Sequence, residues 1–251
     1  TREEFKRVIP TIPMDIIESP MNLDTPYAVD ILSDVDKNTS LPARYDCGSE
    51  TGPVHNQFYC GSGYAFSTIG VLQGAYRRTF RLKLDLSEQQ AVNCWPIWMA
   101  AGCRGGWPLD VFRGIRKSGS TQDALMPYTG KAGVCSGSPA YGWVKNIYEI
   151  PPDTASIKAA LVKYGALSVA VDASEWADYQ SGVYRSTAVG ALPNHVLILS
   201  GWGRDSKKKL DYWVLKNSWG SFWGEHGYMR LDMQSPDASM MTQYFWTERM
   251  T

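Results

Sequence analysis

Residues 56–67 of the chain read NQFYCGSGYAFS and lead into a long stretch with apolar periodicity. From Gly63 to about Arg78, apolar side chains recur every three or four residues and form a stripe along one face, which is typical of a helix packed on a core. The members of this stripe include Phe66, Ile69, Leu72 and Tyr76. The segment around Gly61 and Ser62 is therefore predicted to be the turn that starts a helix.

Two more helices are predicted downstream of this segment. Residues 87–90, SEQQ, form a capping box, in which the Ser87 hydroxyl and the Gln90 side chain satisfy free backbone donors at a helix start. Pro108 stands at the entry of a third apolar stripe and Gly119 at its exit, as is usual for helix ends. The first half of the chain is thus predicted to be mainly helical.

The second half changes period. A short helix is predicted at about residues 154–164, where Gly165 ends it, and β-rich runs separated by glycine, asparagine and aspartate follow. These predicted strands are Leu167–Val171, His195–Leu199, Tyr212–Leu215 and Gly227–Leu231. Helices followed by strands indicate an α+β fold, and the seam between two such lobes is a natural ligand cleft.

Composition limits the class of protein further. The 251 residues are 44% hydrophobic, and Lys+Arg and Asp+Glu are both 25, so the net charge is zero and gives no footprint for nucleic acid or an anionic membrane. No run approaches the roughly 18 apolar residues of a membrane helix. The opening residues, TREE, do not form a secretory signal.

The chain has five cysteines and three histidines, without a C-x-x-C pair, so no structural metal site is expected. Two disulfides and one free thiol is the simplest interpretation, and it favours a secreted, lysosomal or vacuolar location. Five reduced cysteines in a cytosolic protein is the alternative.

Three segments together resemble the papain-like cysteine peptidases. The family's nucleophile segment usually reads N-Q-x-x-C-G-S-C-W-A-F-S, its base segment D/N-H-A-V, and its third segment K-N-S-W-G-x-x-W-G-E-x-G-Y. This chain has NQFYCGSGYAFS at residues 56–67, NHVL at 194–197 and KNSWGSFWGEHGY at 216–228. The matches cover roughly residues 41–245 in the family's order. They imply a two-lobed fold, with a helical left lobe at about 41–150, a β-barrel-like right lobe at about 151–251, and a cleft between.

The resemblance also implies the roles of single residues. His195 matches the general base, Asn217 the residue that orients it, and Trp219 the shielding neighbour of Asn217. Gln57 matches the side-chain donor to the oxyanion, with the Gly63 N–H as a second donor. Gly63 itself occupies the nucleophile position, and glycine has no side chain from which a thiolate can form.

The substrate groove and the disulfides are implied in the same way. The residues matched to the groove are Gly105, Gly106, Trp107, Pro108, Ala170 and Asn194. Gly105 and Gly106 resemble the backbone edge that pairs with an extended peptide. Trp107 is larger than the family's usual residue and is expected to narrow the main specificity pocket. Phe58 replaces a glycine, and its ring is expected to obstruct the cleft beside the oxyanion position at Gln57. The implied disulfides are Cys60–Cys103 and Cys94–Cys135, which leave Cys47 as a buried, unreactive thiol.

The first 40 residues contain several prolines and scattered acids but show no periodic apolar face, so an extended chain is predicted there. Residues 1–5, TREEF, resemble the end of the family's inhibitory pro-segment, and residues 41–46, LPARYD, resemble the start of the mature enzyme. The implied division is a pro-peptide tail at 1–40 and a papain-like domain at 41–251; an unrelated N-terminal arm is the alternative. Asn38 begins an N-glycosylation sequon.

Because Gly63 supplies no nucleophile, we predict from the sequence a catalytically inactive homologue, a pseudoenzyme. It would bind a peptide or protein in the cleft, with its own pro-segment tail as one candidate occupant, or serve as a structural or storage protein. The alternatives are a residual or unconventional cysteine-type peptidase activity, and a hydrolase that uses Ser62 or another nucleophile. No cofactor, metal, nucleic acid or membrane partner is expected.

Overall fold

The computed structural model describes residues 30–31, 40–95, 102–186, 193–236, 238 and 245–249. Its helices are α1 (Gly63–Phe80), α2 (Glu88–Cys94), α3 (Pro108–Ser118) and α4 (Thr154–Tyr164). Helix α1 is buried on all sides from Gly63 to Tyr76, so it is the central helix of the molecule. It ends where Arg81 adopts a left-handed conformation and donates its N–H to the Arg77 carbonyl.

Helix α2 begins as predicted, but half of its capping box does not form. The Ser87 hydroxyl accepts a hydrogen bond from the Gln90 N–H at 3.0 Å. Gln90 does not return this contact: its Oε1 accepts from the Thr121 N–H at 2.7 Å, while the Ser87 N–H donates to the Thr121 carbonyl at 3.0 Å. Because Thr121 supplies both groups, the Gln90 side chain joins two segments instead of closing its own helix.

The remaining helix ends follow their sequence signals. Pro108 begins α3, and Gly119 ends it with φ of 72°. The Asp153 carboxylate caps α4 by accepting the Ser156 N–H at 2.9 Å, and Gly165 ends that helix with φ of 98°. A non-glycine residue is strained at these two exits, so both glycines serve as helix terminators.

The described strands form one nine-stranded sheet. They are β1 (Asp30–Ile31), β2 (Tyr45–Asp46), β3 (Asn146–Glu149), β4 (Leu167–Val171), β5 (Val183–Tyr184), β6 (His195–Asp205), β7 (Leu210–Lys216), β8 (Tyr228–Asp232) and β9 (Phe245–Arg249). Their order is β1-β3-β9-β4-β6-β7-β8-β5, with β2 paired to β6. The four strands predicted from the sequence correspond to β4, β6, β7 and β8.

Strand β6 is the centre of this sheet and packs against α1. Its first residue, His195, pairs with Val171 of β4, and Ile198 pairs with Lys216 of β7. Helix α1 approaches β6 closely at Gly70, where an added Cβ would lie 2.5 Å from the Ile198 Cδ1. The start of α1 and the start of β6 are thereby held next to each other.

The α+β, papain-like two-lobed fold is confirmed, with one difference in the second lobe. The sheet built by the described residues is open, whereas a barrel-like lobe was expected. Of the first 39 residues, the structure describes only Asp30 and Ile31, which pair in parallel with Tyr148 and Glu149. The sequon at Asn38 lies outside the described residues.

Candidate active site

Position 63 lies at the first turn of α1 and faces an imidazole. An added Cβ at Gly63 would lie 2.7 Å from the His195 Cε1, 2.8 Å from the His195 Nδ1 and 2.7 Å from the Val196 carbonyl oxygen. The Gly63 N–H belongs to the first turn of the helix, where N–H groups have no partner within the helix. The fold therefore brings a helix N-terminus and the Nδ1 edge of His195 to one point.

His195, the first residue of β6, and Asn217, the residue that follows β7, form a hydrogen-bonded pair. The His195 Nε2 lies 2.8 Å from the Asn217 Oδ1. The Ser218 N–H donates to the same oxygen at 2.8 Å, so this atom of the amide must be the acceptor. The His195 Nε2 consequently carries the proton, and the lone pair of its Nδ1 is directed toward position 63.

The imidazole is shielded from water by Trp219. The two rings stack with centroids 4.9 Å apart, and Trp223 packs edge-on against Trp219 at 5.0 Å. His195 is only 4% exposed. Burial lowers its pKa to about 4, although the hydrogen bond to Asn217 acts in the opposite direction. His195 is therefore a neutral base at any pH well above 4.

Gln57 is held rigidly beside the same point. Its Nε2 donates to the Cys60 carbonyl at 2.9 Å, and its Oε1 accepts from the Ser218 hydroxyl at 2.6 Å. The Gln57 N–H also donates to the Ser218 carbonyl at 2.8 Å. These contacts use one of the two side-chain N–H bonds of Gln57, so the other remains available as a donor. Gln57 lines a narrow slot that adjoins position 63.

The slot at position 63 has a solvent-accessible volume of about 10 Å³, close to the 10–15 Å³ that one water needs. Its lining residues are Gln57, Gly61, Gly63, Tyr64, Gly105, Gly106, Asn194, His195 and Val196. Phe58 is not among them. Its side chain is 57% exposed and lies against Gly130, where an added Cβ would be 3.4 Å from the ring. The expectation that Phe58 obstructs the cleft at Gln57 is therefore wrong.

The other residues matched to the substrate groove divide into two groups. Gly105, Gly106 and Asn194 line the slot, although the Asn194 side chain turns away to accept the Ala173 N–H at 2.8 Å and to donate to Asp172. Trp107, Pro108 and Ala170 do not line it. Trp107 precedes α3, Pro108 begins it, and Ala170 is fully buried in β4 opposite Val196.

Two disulfides brace the helical lobe around the slot. They join Cys60 to Cys103 and Cys94 to Cys135, the pairs that the resemblance implies. Tyr64 is buried beside the first bridge and donates its hydroxyl to the Gly102 carbonyl at 3.0 Å. The Ser62 hydroxyl lies 2.6 Å from the Tyr128 hydroxyl, so Ser62 is directed at Tyr128.

Cys47 is the free cysteine, and it is buried. Its Sγ donates to the Ser200 carbonyl at 3.1 Å, and burial raises the pKa of its thiol to about 12. Ser200 lies five residues beyond His195 on β6, which is roughly 16 Å along an extended strand. Cys47 therefore contacts the strand that carries His195, the candidate general base, but roughly 16 Å farther along it.

Sequence reasoning missed a second group of ionisable residues near Asn217. Glu88, at the start of α2, and Lys216, at the end of β7, are 3% and 5% exposed. The side chain of His55 lies close by, with its Nδ1 3.8 Å from the Glu88 Oε1. An acidic residue in the first turn of a helix is common, so nothing in the sequence distinguishes Glu88 from an ordinary surface acid.

Comparisons with known proteins show which family has this site. The model of the papain family of cysteine proteases matches residues 41–247. The chain belongs to this family. It is 38% identical over 207 residues to cysteine proteinase 3 of Solanum lycopersicum, covering 78% of this chain and 57% of that protein. It is also 37% identical over 193 residues to pro-cathepsin H of Mus musculus, covering 74% of this chain and 57% of that protein.

Solved structures are similar as well. Digestive procathepsin L 3 of Tenebrio molitor superposes with a TM-score of 0.84 at 28% identity, over all of this chain and 79% of that chain. Bromelain of Ananas comosus, solved in complex with the E64 inhibitor, gives 0.75 at 30% identity, over 84% of this chain and all of that chain. The chain spans only 57% of the length of the two curated relatives named above.

These relatives correct the sequence-based prediction of a pseudoenzyme. That prediction rested on the glycine at position 63 alone. The matched proteins are named as cysteine proteinases and procathepsins, and this chain retains a free cysteine, Cys47. The pseudoenzyme prediction is therefore wrong, because a glycine at one position does not suffice to assign inactivity within a family of proteases.

None of the described helices has the length and apolar character needed to cross a bilayer. The described histidines, cysteines and acids form no cluster of three or more suited to a metal ion.

Proposed function

We propose that this protein binds extended peptides in the cleft between its lobes and cleaves them by a residual or unconventional form of cysteine-peptidase chemistry. The observation that carries the proposal is the His195–Asn217 pair, whose free Nδ1 lone pair is directed at position 63. A neutral imidazole held by a fixed amide is the arrangement that a general base for acyl transfer requires.

The route differs from thiol catalysis because position 63 supplies no sulfur. In our proposal, a water in the slot attacks the scissile carbonyl carbon while the His195 Nδ1 takes one of its protons. The carbonyl oxygen, now negative, accepts hydrogen bonds from the Gln57 amide and the Gly63 N–H. The intermediate then collapses: the C–N bond breaks, His195 returns the proton to the leaving amine, and a carboxylic acid and an amine result.

This reaction is expected to be slow. A base with a pKa near 4 removes a proton from water poorly at neutral pH. Serine peptidases that lack members of their catalytic triad still retain roughly 10³–10⁴-fold acceleration over water from the oxyanion donors and binding alone. Base catalysis by His195 should add to this background, so we expect a rate above it that still lies far below that of a thiol enzyme.

Peptide binding rests on the groove residues. Gly105 and Gly106 line the slot, and we propose that their backbone pairs with an extended substrate. Asn194 would supply a backbone contact beside the scissile bond, with Trp107 and Pro108 in the walls of the main specificity pocket. Ala170, which the family resemblance assigns to the same walls, is fully buried and would not touch the substrate.

We propose that residues 1–40 are the tail of a pro-peptide, that residues 41–251 are the peptidase domain, and that Asn38 is glycosylated. The two disulfides support an oxidising location, secreted, lysosomal or vacuolar.

The test is hydrolysis of fluorogenic peptide amides by the purified protein at mildly acidic pH. We expect weak turnover that falls to the background of oxyanion stabilisation and binding in His195→Ala and persists in Cys47→Ser, a control for the free thiol that contacts β6 at Ser200. Absence of turnover in the unaltered protein would refute the proposal. Equal turnover in His195→Ala would do so too, and loss of turnover in Cys47→Ser would assign the reaction to that thiol instead.

A further inference from the structure

A small cavity lies at the junction of helices α1 and α2 with strand β7. Its solvent-accessible volume is about 20 Å³, and about 10–15 Å³ is enough for one water. The polar residues around it include Glu88, Lys216, His55 and Gln73. Asn217, the partner of His195, lines it too.

Two buried polar atoms on the residues around this cavity have no hydrogen-bond partner among the described residues. They are the Glu88 Oε2 and the Asn217 Nδ2. The Asn217 Oδ1 is already used by the His195 Nε2 and the Ser218 N–H, which also fixes which end of the amide is nitrogen. Unpaired polar atoms in a protein interior are costly, and the usual solution is a shared buried water.

Lys216 does not satisfy Glu88. Its ammonium has three N–H bonds, and its three contacts are the Thr51 carbonyl at 2.9 Å, the Thr51 hydroxyl at 3.0 Å and the Gly52 carbonyl at 2.9 Å. The His55 Nδ1, at 3.8 Å from the Glu88 Oε1, is beyond hydrogen-bond distance. The partner that Glu88 and Asn217 lack must therefore come from the cavity itself.

The chemistry of the two atoms selects the ligand. The Asn217 Nδ2 can only donate, so the ligand must accept a hydrogen bond, which excludes a metal cation or an ammonium ion. The Glu88 carboxyl accepts when ionised and can donate when protonated, so a ligand that can do both fits either state. The volume of about 20 Å³ has room for a water but not for a polyatomic anion. A single water meets every condition.

We propose that this cavity is a binding site for one water, which accepts a hydrogen bond from the Asn217 Nδ2 and pairs with the Glu88 Oε2. Glu88 is thereby a positioning residue for His195. The water anchors the second end of the Asn217 amide and so fixes the plane in which its Oδ1 holds the imidazole. The chain of contacts runs from α2 in the helical lobe through the water and Asn217 to His195 in the β-rich lobe.

Only the role of the imidazole in a reaction rests on the proposed function. The contacts of Glu88, the water and Asn217 can be measured without substrate, so they can be tested even if the protein does not cleave peptides.

The experiment is ¹⁵N NMR of the full chain, without substrate, in three variants. In the unaltered protein we expect a cross-relaxation signal between the Asn217 side-chain amide and a long-lived water, and a His195 ring predominantly protonated on Nε2. Glu88→Leu replaces the carboxyl by an apolar group of similar size, so we expect loss of the water signal and a several-fold rise in the other tautomer. Glu88→Gln keeps a polar atom for the water and should restore both signals.

Ser87→Ala is the matched control. It weakens the start of the same helix, α2, through loss of the cap, but Ser87 is not among the residues that line the cavity. We expect its Asn217 and His195 signals to match those of the unaltered protein. The proposal is overturned if the unaltered protein shows no water at the Asn217 amide, if Glu88→Leu leaves both signals unchanged, or if Ser87→Ala shifts them as much as Glu88→Leu does.

Discussion

The buried carboxyl of Glu88 should make the stability of this protein fall as pH rises. Burial raises the pKa of Glu88 from 4.5 to about 8, with further contributions from Asp123 and Asp85 and opposition from a backbone hydrogen bond and from Lys216. The folded-state pKa lies above the unfolded one. The neutral carboxyl therefore contributes stability fully below about pH 4.5, and this contribution is lost as pH rises toward 8.

The size of the effect follows from the shift. Each pKa unit corresponds to about 1.36 kcal/mol, so a shift from 4.5 to about 8 gives at most about 4–5 kcal/mol across this range. Glu88→Gln removes the ionisation and keeps the shape. Its free energy of unfolding relative to the unaltered protein should therefore increase by up to about 4–5 kcal/mol between acidic and mildly alkaline pH.

The assay is urea unfolding of both proteins at a series of pH values. Asp211→Asn is the control, because Asp211 pairs with Arg204 on the surface, with side chains 50% and 57% exposed, and such pairs contribute roughly 0–1 kcal/mol. Its difference from the unaltered protein should change little between the pH values at which the Glu88→Gln difference grows. A Glu88→Gln difference that is flat with pH would refute the assignment of Glu88 as a buried neutral acid.

Three further results are expected. Peptide hydrolysis should persist as pH falls until it approaches 4 and should be lost below, because burial lowers the pKa of His195 to about 4 and protonation removes the base; a pH profile with its acidic limb near 6.5 would contradict this. Trp219→Ala exposes the imidazole to water and should raise the His195 pKa toward 6.5, as followed by NMR titration; an unchanged value would show that the stacked indole does not cause the shift. Ser87→Ala should lower the free energy of unfolding by about 1 kcal/mol or more, because the hydroxyl both caps α2 and donates to the Met126 carbonyl at 2.6 Å; urea unfolding measures this loss, and unchanged stability would argue against both contacts.

Local signals predicted the helices well: α1 and α3 have apolar residues at helical spacing, Ser87 marks the start of α2, and Gly119 and Gly165 mark the ends of α3 and α4. The capping box at Ser87 was predicted only in part. The Ser87 half is local, but the Gln90 side chain bonds to Thr121, 31 residues away, and no local pattern indicates such a contact.

The strands were predicted less completely. Strand β6 extends six residues beyond the predicted His195–Leu199, through Gly201 and Gly203, which read as turn residues in the sequence. Both positions are within the strand, and glycine is needed there because a neighbouring group approaches closely. An added Cβ would be 2.1 Å from the Tyr45 carbonyl oxygen at Gly201 and 2.6 Å from the Tyr212 hydroxyl at Gly203. Strands β2 and β5 have two residues each, too few for any period to show.

At the candidate site, the resemblance to the papain-like family indicated His195, Asn217, Gln57 and Gly63, and the structure brings these four together. The resemblance did not indicate Glu88, whose burial depends on how α2 packs against β7. The Phe58 prediction failed for a similar reason. Its φ of 52° directs the backbone of this loop so that the ring lies on Gly130, and a sequence comparison carries no information about that angle.

The central claim is that position 63, His195, Asn217 and Gln57 form one peptidase site, and Gly63→Cys tests it most directly. An added Cβ would lie 2.7 Å from the His195 Cε1, 2.8 Å from its Nδ1 and 2.7 Å from the Val196 carbonyl oxygen, all inside van der Waals contact, so both the imidazole and the Val196 backbone must shift to admit it. We predict that the purified variant is labelled at position 63 by an epoxide thiol probe and cleaves peptides more than about 100-fold faster than the unaltered protein. Labelling and the gain in rate should both disappear in the double variant with His195→Ala. A folded Gly63→Cys protein that is neither labelled nor faster would contradict the account.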